Sequence, residues 1–206
     1  MAEKIPHYWS TAKTHIKKHD AILAEIIVAY EEPPLVSKQR PFETLVHAIV
    51  GQQISAKAAE AVWQRFKALV GDVAPKNILR HEAEALRKVG LSGRKVEYIR
   101  GLAKEGAWVE HHSWDDLEDQ EIKDALCALR GVGPWTADMV MIFSLLRPDI
   151  LPLGDIGIIR AMEQLYSLGQ ENLLDEITMI AARWSPFRTV GSWYLWRYLD
   201  AEPVLY

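Results

Sequence analysis

The sequence predicts an all-α protein of about ten helices. Apolar residues recur every three or four positions along almost the whole chain, which is the spacing of one helix face. No segment alternates apolar and polar residues convincingly, as a half-buried strand does. The joints between the apolar segments carry Gly or Pro, which end helices and form short connections.

The helices can be placed in order from their caps and breakers. The first clear helix has Asp20 as its N-cap. Pro41 suits the first position of the second helix, and Ser55 caps the third. We expect helices at residues 21–30, 41–50, 56–70, 75–79, 81–89, 93–104, 120–129, 135–146, 155–165, 172–184 and 186–199.

Composition and charge limit the classes of protein to which the chain can belong. The chain has 206 residues, 49% hydrophobic and 25% charged, which fits one or two ordinary globular domains. No apolar run reaches the roughly 18 residues that span a bilayer, and no signal-peptide segment precedes the first helix. We therefore expect no membrane contact and a cytoplasmic location. The net charge of −4 argues weakly against nucleic acid, although a local basic face can coexist with an acidic remainder.

Cysteine and histidine usage indicates no metal centre. The single cysteine, Cys127, excludes an intramolecular disulfide and a four-cysteine iron–sulfur or zinc site. Its apolar neighbours predict a packed, small hydrophobic side chain. Four histidines show no metal-ligand spacing and are interpreted as surface or helix-end residues: His47, His81, His111 and His112.

The most informative segment is a turn between two helices, Leu129-Arg130-Gly131-Val132-Gly133-Pro134-Trp135-Thr136-Ala137. Gly131 and Gly133 can adopt a positive φ and allow another backbone to approach closely. The next helix begins with free amides, which bind an anion such as a phosphate without side-chain charge. The alternative is an ordinary helix joint.

A second segment, Leu151-Pro152-Leu153-Gly154-Asp155, predicts a turn followed by a helix. On the local pattern alone, Asp155 is a plain N-cap. The hairpin and an aspartate roughly twenty residues downstream together resemble the helix-hairpin-helix DNA glycosylases, over about Pro41 to Leu199. The resemblance implies a two-lobed fold with the active-site cleft between the lobes, and Asp155 as the catalytic carboxylate. A fixed carboxylate stabilises the oxocarbenium-like sugar or orients the attacking water.

The residue that follows Gly133-Pro134 indicates which branch of the helix-hairpin-helix DNA glycosylases the chain resembles. Family members that also cut the backbone carry a lysine two residues after the second glycine, and its amine forms a Schiff base. This sequence has Trp135 there, so we expect a monofunctional enzyme without AP-lyase activity. The missing cysteines separate the chain from the iron–sulfur branch. The remaining resemblance is to 3-methyladenine DNA glycosylase II, which implies excision of alkylated purines of the 3-methyladenine and 7-methylguanine type.

The resemblance also implies roles for tryptophans. Trp135, Trp196 and Trp193 are expected to line the base pocket, where an indole suits a cationic alkylated purine through cation–π stacking. Core packing at i, i+3 stays open as the alternative for Trp193 and Trp196. No cofactor is required, but the family binds a monovalent cation, Na⁺ or K⁺, through hairpin carbonyls that match Cys127, Leu129 and Val132.

Two sequence segments, residues 49–55 and the hairpin, predict the residues that contact DNA. Ile49-Val50-Gly51-Gln52-Gln53-Ile54-Ser55 resembles the element whose side chain fills the space of a flipped nucleotide, with Gln53 at the wedge position. A loop residue without that role is the alternative. The expected DNA-contacting residues are Gln53, Gly131, Val132, Gly133 and Thr136.

The resemblance assigns residues 1–40 and 151–206 to one helical lobe and residues 41–150 to a central lobe. Larger relatives carry an additional N-terminal β-rich domain, so this chain looks like a compact form. The expected partner is double-stranded DNA with damaged bases, bound by a nucleoid-associated monomer. Three alternatives remain: a glycosylase for deaminated or mismatched bases, a non-catalytic helix-hairpin-helix DNA-binding module, and a protein-binding helical scaffold.

Overall fold

A computed structural model describes residues 4–200, with only the backbone described at residues 106 and 107. Over this range the chain forms twelve α-helices, two short 3-10 helices and no strand, so the all-α prediction is confirmed. None of the described helices is long and apolar enough to cross a membrane. The α-helices are α1 Trp9–His19, α2 Ala21–Ala29, α3 Pro41–Gly51, α4 Ala56–Val70, α5 Pro75–Leu79, α6 Ala83–Lys88, α7 Gly93–His111, α8 Asp119–Cys127, α9 Pro134–Phe143, α10 Ile156–Tyr166, α11 Leu173–Ala181 and α12 Arg188–Leu199. The 3-10 helices are Trp114–Asp116 and Ala182–Trp184.

Some helices begin or end at residues other than those that the sequence predicts. The sequence does not predict α1 as a separate helix, and α7 continues to His111 rather than ending at Lys104. Helix α9 ends earlier than expected because Leu146 adopts a φ of +55° and the Arg147 N–H donates to the Met141 carbonyl. The left-handed Leu146 turns the chain away from the helix, and the bond from Arg147 closes the turn that follows α9.

The described chain divides into two compact units, residues 4–38 with 141–200 and residues 39–140. Residues 141–150 thus belong to the first unit, whereas the sequence assigned them to the central lobe. Two buried hydrogen bonds hold that segment there. The Tyr8 hydroxyl donates to the Leu146 carbonyl at 2.8 Å, and the Ser37 hydroxyl donates to the Ser144 carbonyl at 3.1 Å.

The first unit is built around α12. This helix packs against α10, α1 and α2, and its residues from Thr189 to Leu195 are all buried. Trp184, Trp193 and Tyr194 are among the largest fully buried side chains. A helix that is apolar or buried on every face belongs in the centre of a helical unit.

Asp20 connects three parts of this unit. Its Oδ1 accepts the Leu23 N–H and so caps α2, as the sequence predicted. Its Oδ2 accepts the Tyr166 hydroxyl at 2.7 Å and the Trp184 indole N–H at 2.9 Å. The buried carboxylate therefore has partners on α10 and on the second 3-10 helix.

The second unit is built around α3 and α7. Helix α3 is buried along almost its whole length, and α7 packs against α3, α5 and α6. His47 was interpreted as a surface or helix-end residue, and that interpretation was wrong. Its ring is buried and stacks on Trp63, with the ring centroids 4.2 Å apart. The apolar neighbours of His47 on α3 carried the burial signal.

Candidate active site

Asp155 is the N-cap of α10, where the turn from Pro152 to Gly154 delivers it. Its Oδ1 accepts the Ile158 N–H at 3.0 Å, the usual capping bond to the third helical residue. The same oxygen accepts the indole N–H of Trp196 at 3.1 Å. The side chain is half-buried. Asp155 is therefore a cap as well as a carboxylate held in a fixed rotamer by two donors.

Trp196 lies on α12, and its ring is stacked on Phe143 with centroids 5.4 Å apart. The indole is half-buried, so part of its surface is available. Gly157 permits the indole and the carboxylate to meet. A Cβ at that position would lie 2.9 Å from Asp155 Oδ1 and 3.4 Å from Trp196 Cδ1.

Trp193 occupies a different environment. Only 1% of it is exposed, and it makes edge-on contacts with Trp9 and Phe143. The structure thus favours core packing for Trp193, the alternative left open by the sequence. Of the two tryptophans on α12, Trp196 alone is brought to Asp155.

The start of α12 is fixed by a carboxylate in the loop before Asp155. Asp149 accepts the Arg188 backbone N–H at 3.1 Å and a fork from its guanidinium at 2.7 and 2.9 Å. Burial acts to raise the pKa of Asp149, but the hydrogen bonds from Arg188 and Ser185 outweigh it and lower that pKa. This ion pair joins the segment that leads to Asp155 to the helix that carries Trp196.

The hairpin between α8 and α9 lies in the second unit. Gly131 has a φ of +91°, and a Cβ there would lie 2.3 Å from Tyr98 Cγ, so glycine is required. Gly133 does not share the positive φ that the sequence allowed for it. A Cβ at Gly133 would meet no atom within 4 Å, which leaves open space beside this part of the turn.

The remaining hairpin residues differ in exposure. Trp135 is half-buried at the second position of α9. Thr136 is 1% exposed, and its hydroxyl accepts a hydrogen bond from Gln52. Val132 is buried, and its N–H donates to the Leu129 carbonyl. The side chains of Thr136 and Val132 therefore face the protein, and their expected DNA contacts would have to come from the backbone.

The turn between α3 and α4 is tied to the hairpin. The Gln52 side-chain amide donates to the Gly131 carbonyl at 3.0 Å and to Thr136 Oγ1 at 2.9 Å. Gln53 next to it is exposed and has a φ of +58°. Lys95 donates to the carbonyls of Val50 and Gln52 at 2.7 and 2.8 Å, and burial lowers its pKa. A cation at these carbonyls completes the C-terminus of α3.

An ion pair between a half-buried lysine and a buried aspartate joins the helices on either side of the hairpin. Lys123 on α8 lies 2.7 Å from Asp138 on α9. Burial raises the pKa of Asp138, and the hydrogen bond and charge of Lys123 oppose that effect. The pair fixes the two helices against each other behind the turn.

Charge is unevenly distributed along the second unit. Residues 39–104 contain twelve Lys and Arg against six Asp and Glu, whereas residues 105–140 contain two against nine. The Gln53 turn and the start of α7, with the exposed side chains of Lys57 and Arg94, lie in the basic part of the sequence. A net negative chain can thus present a basic segment to an anionic partner.

Nothing in the described residues groups three or more His, Cys, Asp or Glu side chains in a metal-binding cluster. The carbonyls of Cys127, Leu129 and Val132 lie at the end of α8 and in the turn, where oxygen donors suit an alkali cation. The Leu129 carbonyl also accepts the Val132 N–H. Cys127 is half-buried rather than fully packed, and burial raises the pKa of its thiol.

The sequence matches the model of the HhH-GPD superfamily of base excision DNA repair proteins over residues 46–186. The chain belongs to this superfamily. The match includes the Gln53 turn, the hairpin and Asp155. The superfamily assignment thus confirms the resemblance that the hairpin and the aspartate indicated.

Individual proteins resemble the chain over most of its length. DNA-3-methyladenine glycosylase 1 of Schizosaccharomyces pombe is 29% identical over 181 residues, covering 85% of this chain and 79% of the relative. The crystal structure of a DNA-3-methyladenine glycosidase from Bacillus halodurans has a TM-score of 0.74 at 35% identity, covering 97% of this chain and 93% of the other. An S. pombe 3-methyladenine DNA glycosylase in complex with abasic DNA has a TM-score of 0.80 at 28% identity, covering 91% and 95%.

The sequence patterns do not predict several residues that form the site of this HhH-GPD protein. Phe143 supports the Trp196 ring, and Gly157 makes room for the Asp155–Trp196 contact. The glycine directly after the helix's first residue was a signal, since glycine inside a helix has a cost that a close contact can explain. Gln52 and Lys95 left no comparable signal, because their bonds join segments distant in sequence.

Proposed function

We propose that the protein is a monofunctional DNA N-glycosylase that flips alkylated purines out of duplex DNA and excises them by hydrolysis. The observation that carries the proposal is the hydrogen bond between the Trp196 indole and Asp155 Oδ1. It puts a carboxylate and a half-exposed aromatic ring side by side. Leaving-group departure builds positive charge on the sugar, and a carboxylate in a fixed position stabilises it without reorganisation.

The nature of the base follows from the aromatic surface. An alkylated purine such as 3-methyladenine or 7-methylguanine is cationic, so an electron-rich indole attracts it. Trp196 and Trp135 are the half-buried tryptophans at the predicted positions. Relatives named as 3-methyladenine glycosylases support this substrate class. A cationic base leaves readily, so the site needs little help from a general acid.

Hydrolysis without strand cleavage follows from the residue after Gly133-Pro134. Trp135 cannot form a Schiff base, so water attacks the sugar and Asp155 orients it. The product is an intact strand with an abasic site. This reaction defines a hydrolase of the 3-methyladenine DNA glycosylase II type without AP-lyase activity.

Duplex DNA is the partner, bound through backbone amides at the start of α9 and the basic segment 39–104. The relative bound to abasic DNA supports this partner. Gln53 fills the space of the extruded nucleotide. The carbonyls of Cys127, Leu129 and Val132 hold Na⁺ or K⁺ as structural support for the hairpin. The protein acts as a monomer.

The test is release of free base from a duplex containing 7-methylguanine, comparing wild type with Asp155→Asn. Asparagine still caps α10 and accepts from Trp196, so folding is retained. We expect excision to fall by at least about a hundredfold, the scale of a lost electrostatic stabiliser. Asp175→Asn, at an exposed carboxylate on α11, is the matched control and should match wild type.

Each result has a distinct meaning. Free base from wild type, intact abasic strands until alkali is added, and no borohydride-trapped adduct support every step. Undiminished release by Asp155→Asn would remove Asp155 from the mechanism. Excision of uracil or hypoxanthine instead of methylated purines would show that the substrates are deaminated bases. Binding without excision of any base would leave a DNA-binding module.

A further inference from the structure

The exposed Gln53 is held between structural elements rather than carried on a free loop. Helix α3 ends at Gly51, and the Gln52 N–H still donates to Ala48. Gln53 then adopts a left-handed conformation with a φ of +58°. A side chain that must enter a base stack needs such fixed placement, because any freedom it keeps is lost on insertion.

Gln52 supplies the fixed placement. Both donors of its side-chain amide are used, one at the Gly131 carbonyl and one at the Thr136 hydroxyl, at 3.0 and 2.9 Å. In the sequence these acceptors lie before and after Gly133, the glycine with open space beside it. The amide thus spans the part of the hairpin that the proposed function puts against the DNA phosphates.

Lys95 holds the same turn from the other direction. Its ammonium bridges the carbonyls of Val50 and Gln52 from the first turn of α7. The Gln52 backbone is bonded to α3 and α7, and its side chain is bonded to the hairpin. These bonds together fix the position of the turn that carries Gln53.

We propose that Gln52 is a positioning residue for base extrusion, which sets the distance between the wedge Gln53 and the phosphate-binding hairpin. The inference rests on the proposed function and adds a residue to it. With the hydrogen bonds of the Gln52 side chain intact, the hairpin that binds the DNA backbone and the wedge Gln53 that enters the base stack move as one rigid structure. Without them, the hairpin still grips DNA, but the wedge is no longer delivered at a fixed place.

The experiment compares Gln52→Leu and Gln52→Glu with wild type in single-turnover release of 7-methylguanine. One duplex pairs the lesion with cytosine, and the other places it opposite an abasic analogue, where no base pair has to be broken. Leucine removes both donors at similar volume; glutamate also removes both, because the two bonds come from the same Nε2, and it leaves a carboxylate oxygen that can accept from the Thr136 hydroxyl but not bond to the Gly131 carbonyl. Gln64→Leu is the matched control, because Gln64 is an exposed glutamine on α4.

For the paired duplex, we expect Gln52→Leu to slow release about tenfold to a hundredfold, as two hydrogen bonds are lost. For the unpaired lesion, the rate should stay within about threefold of wild type, since extrusion there costs little. Gln52→Glu should show the same selectivity for the paired duplex. Thermal unfolding of each variant separates this pattern from loss of the fold, which would slow both duplexes equally.

A double-mutant cycle with Gln53→Ala tests whether Gln52 acts through the wedge. Adding Gln52→Leu to Gln53→Ala should cause little further loss, because the positioned side chain is already gone. Additive losses, or equal losses on both duplexes, would overturn the inference. Wild-type failure to release 7-methylguanine would overturn the proposed function as well, whereas an active wild type with an unaffected Gln52→Leu would overturn the inference alone.

Discussion

The indole N–H of Trp196 donates a hydrogen bond to Oδ1 of Asp155, although the two residues are 41 positions apart in the sequence. The bond joins the N-terminus of α10 to the C-terminal part of α12. It also brings together two groups that the sequence alone does not connect, a helix-capping carboxylate and an aromatic ring on a neighbouring helix. Changes at either residue or in the space between them should therefore alter the same reaction.

Trp196→Phe keeps an aromatic ring and removes the donor to Asp155. A hydrogen bond to a charged group contributes about 1.5–3 kcal/mol, so we expect excision to slow roughly tenfold to a hundredfold. Single-turnover base release measures the effect. Trp193→Phe is the contrasting variant, because Trp193 is fully buried. It should lower the unfolding temperature and leave the rate per folded molecule close to wild type. A larger rate effect at Trp193 than at Trp196 would contradict this assignment.

Gly157→Ala should separate activity from stability. The added Cβ would lie 2.9 Å from Asp155 Oδ1, so the carboxylate or the indole must move. Alanine is at the same time favoured over glycine in a helix by about 0.5–1 kcal/mol. We expect slower excision with an unchanged or raised unfolding temperature. Gly101→Ala in α7, where a Cβ meets nothing within 4 Å, provides the control. Full activity in Gly157→Ala would show that the contact is dispensable.

The two hairpin glycines should respond differently to alanine. Gly131→Ala combines a positive φ with a clash against Tyr98, so we expect at least about 2 kcal/mol of lost stability in chemical denaturation. Gly133→Ala meets open space and should preserve stability. If DNA approaches there, Gly133→Ala should weaken binding to an abasic duplex in a titration. Equal affinity for wild type and Gly133→Ala would remove Gly133 from the DNA interface.

Asp149→Asn tests the pair that orients α12. The pKa of Asp149 is lower in the folded protein than in the unfolded chain, so its stabilising contribution is complete above the unfolded value and is lost as the pH falls through the folded value. The variant should be less stable than wild type at neutral pH by about 1 kcal/mol, a figure reduced for partial exposure. The difference should shrink as the pH is lowered below about 4. Urea unfolding at several pH values measures it, and a difference independent of pH would exclude the ion pair as its source.

Sequence patterns identified most helices and the residues that give the site its chemistry, since caps, glycines and apolar spacing are local properties. The N-cap role of Asp155 needed only the turn before it and the helix after it. The pairing of Asp155 with Trp196 could not be read in the same way, because Trp193 and Trp196 share one face spacing and the rotation of α12 depends on tertiary packing. The positive φ of Gly131 could be anticipated, whereas its absence at Gly133 depends on how α9 begins.

Helix α12 is buried on every face between Thr189 and Leu195, and it carries Trp196 at the end of that stretch. In hydrogen exchange, amides in such a segment exchange last, because they are released only when the whole unit opens. Exposed segments, such as the connection from α10 to α11, can therefore fluctuate without displacing the α12 backbone that carries Trp196.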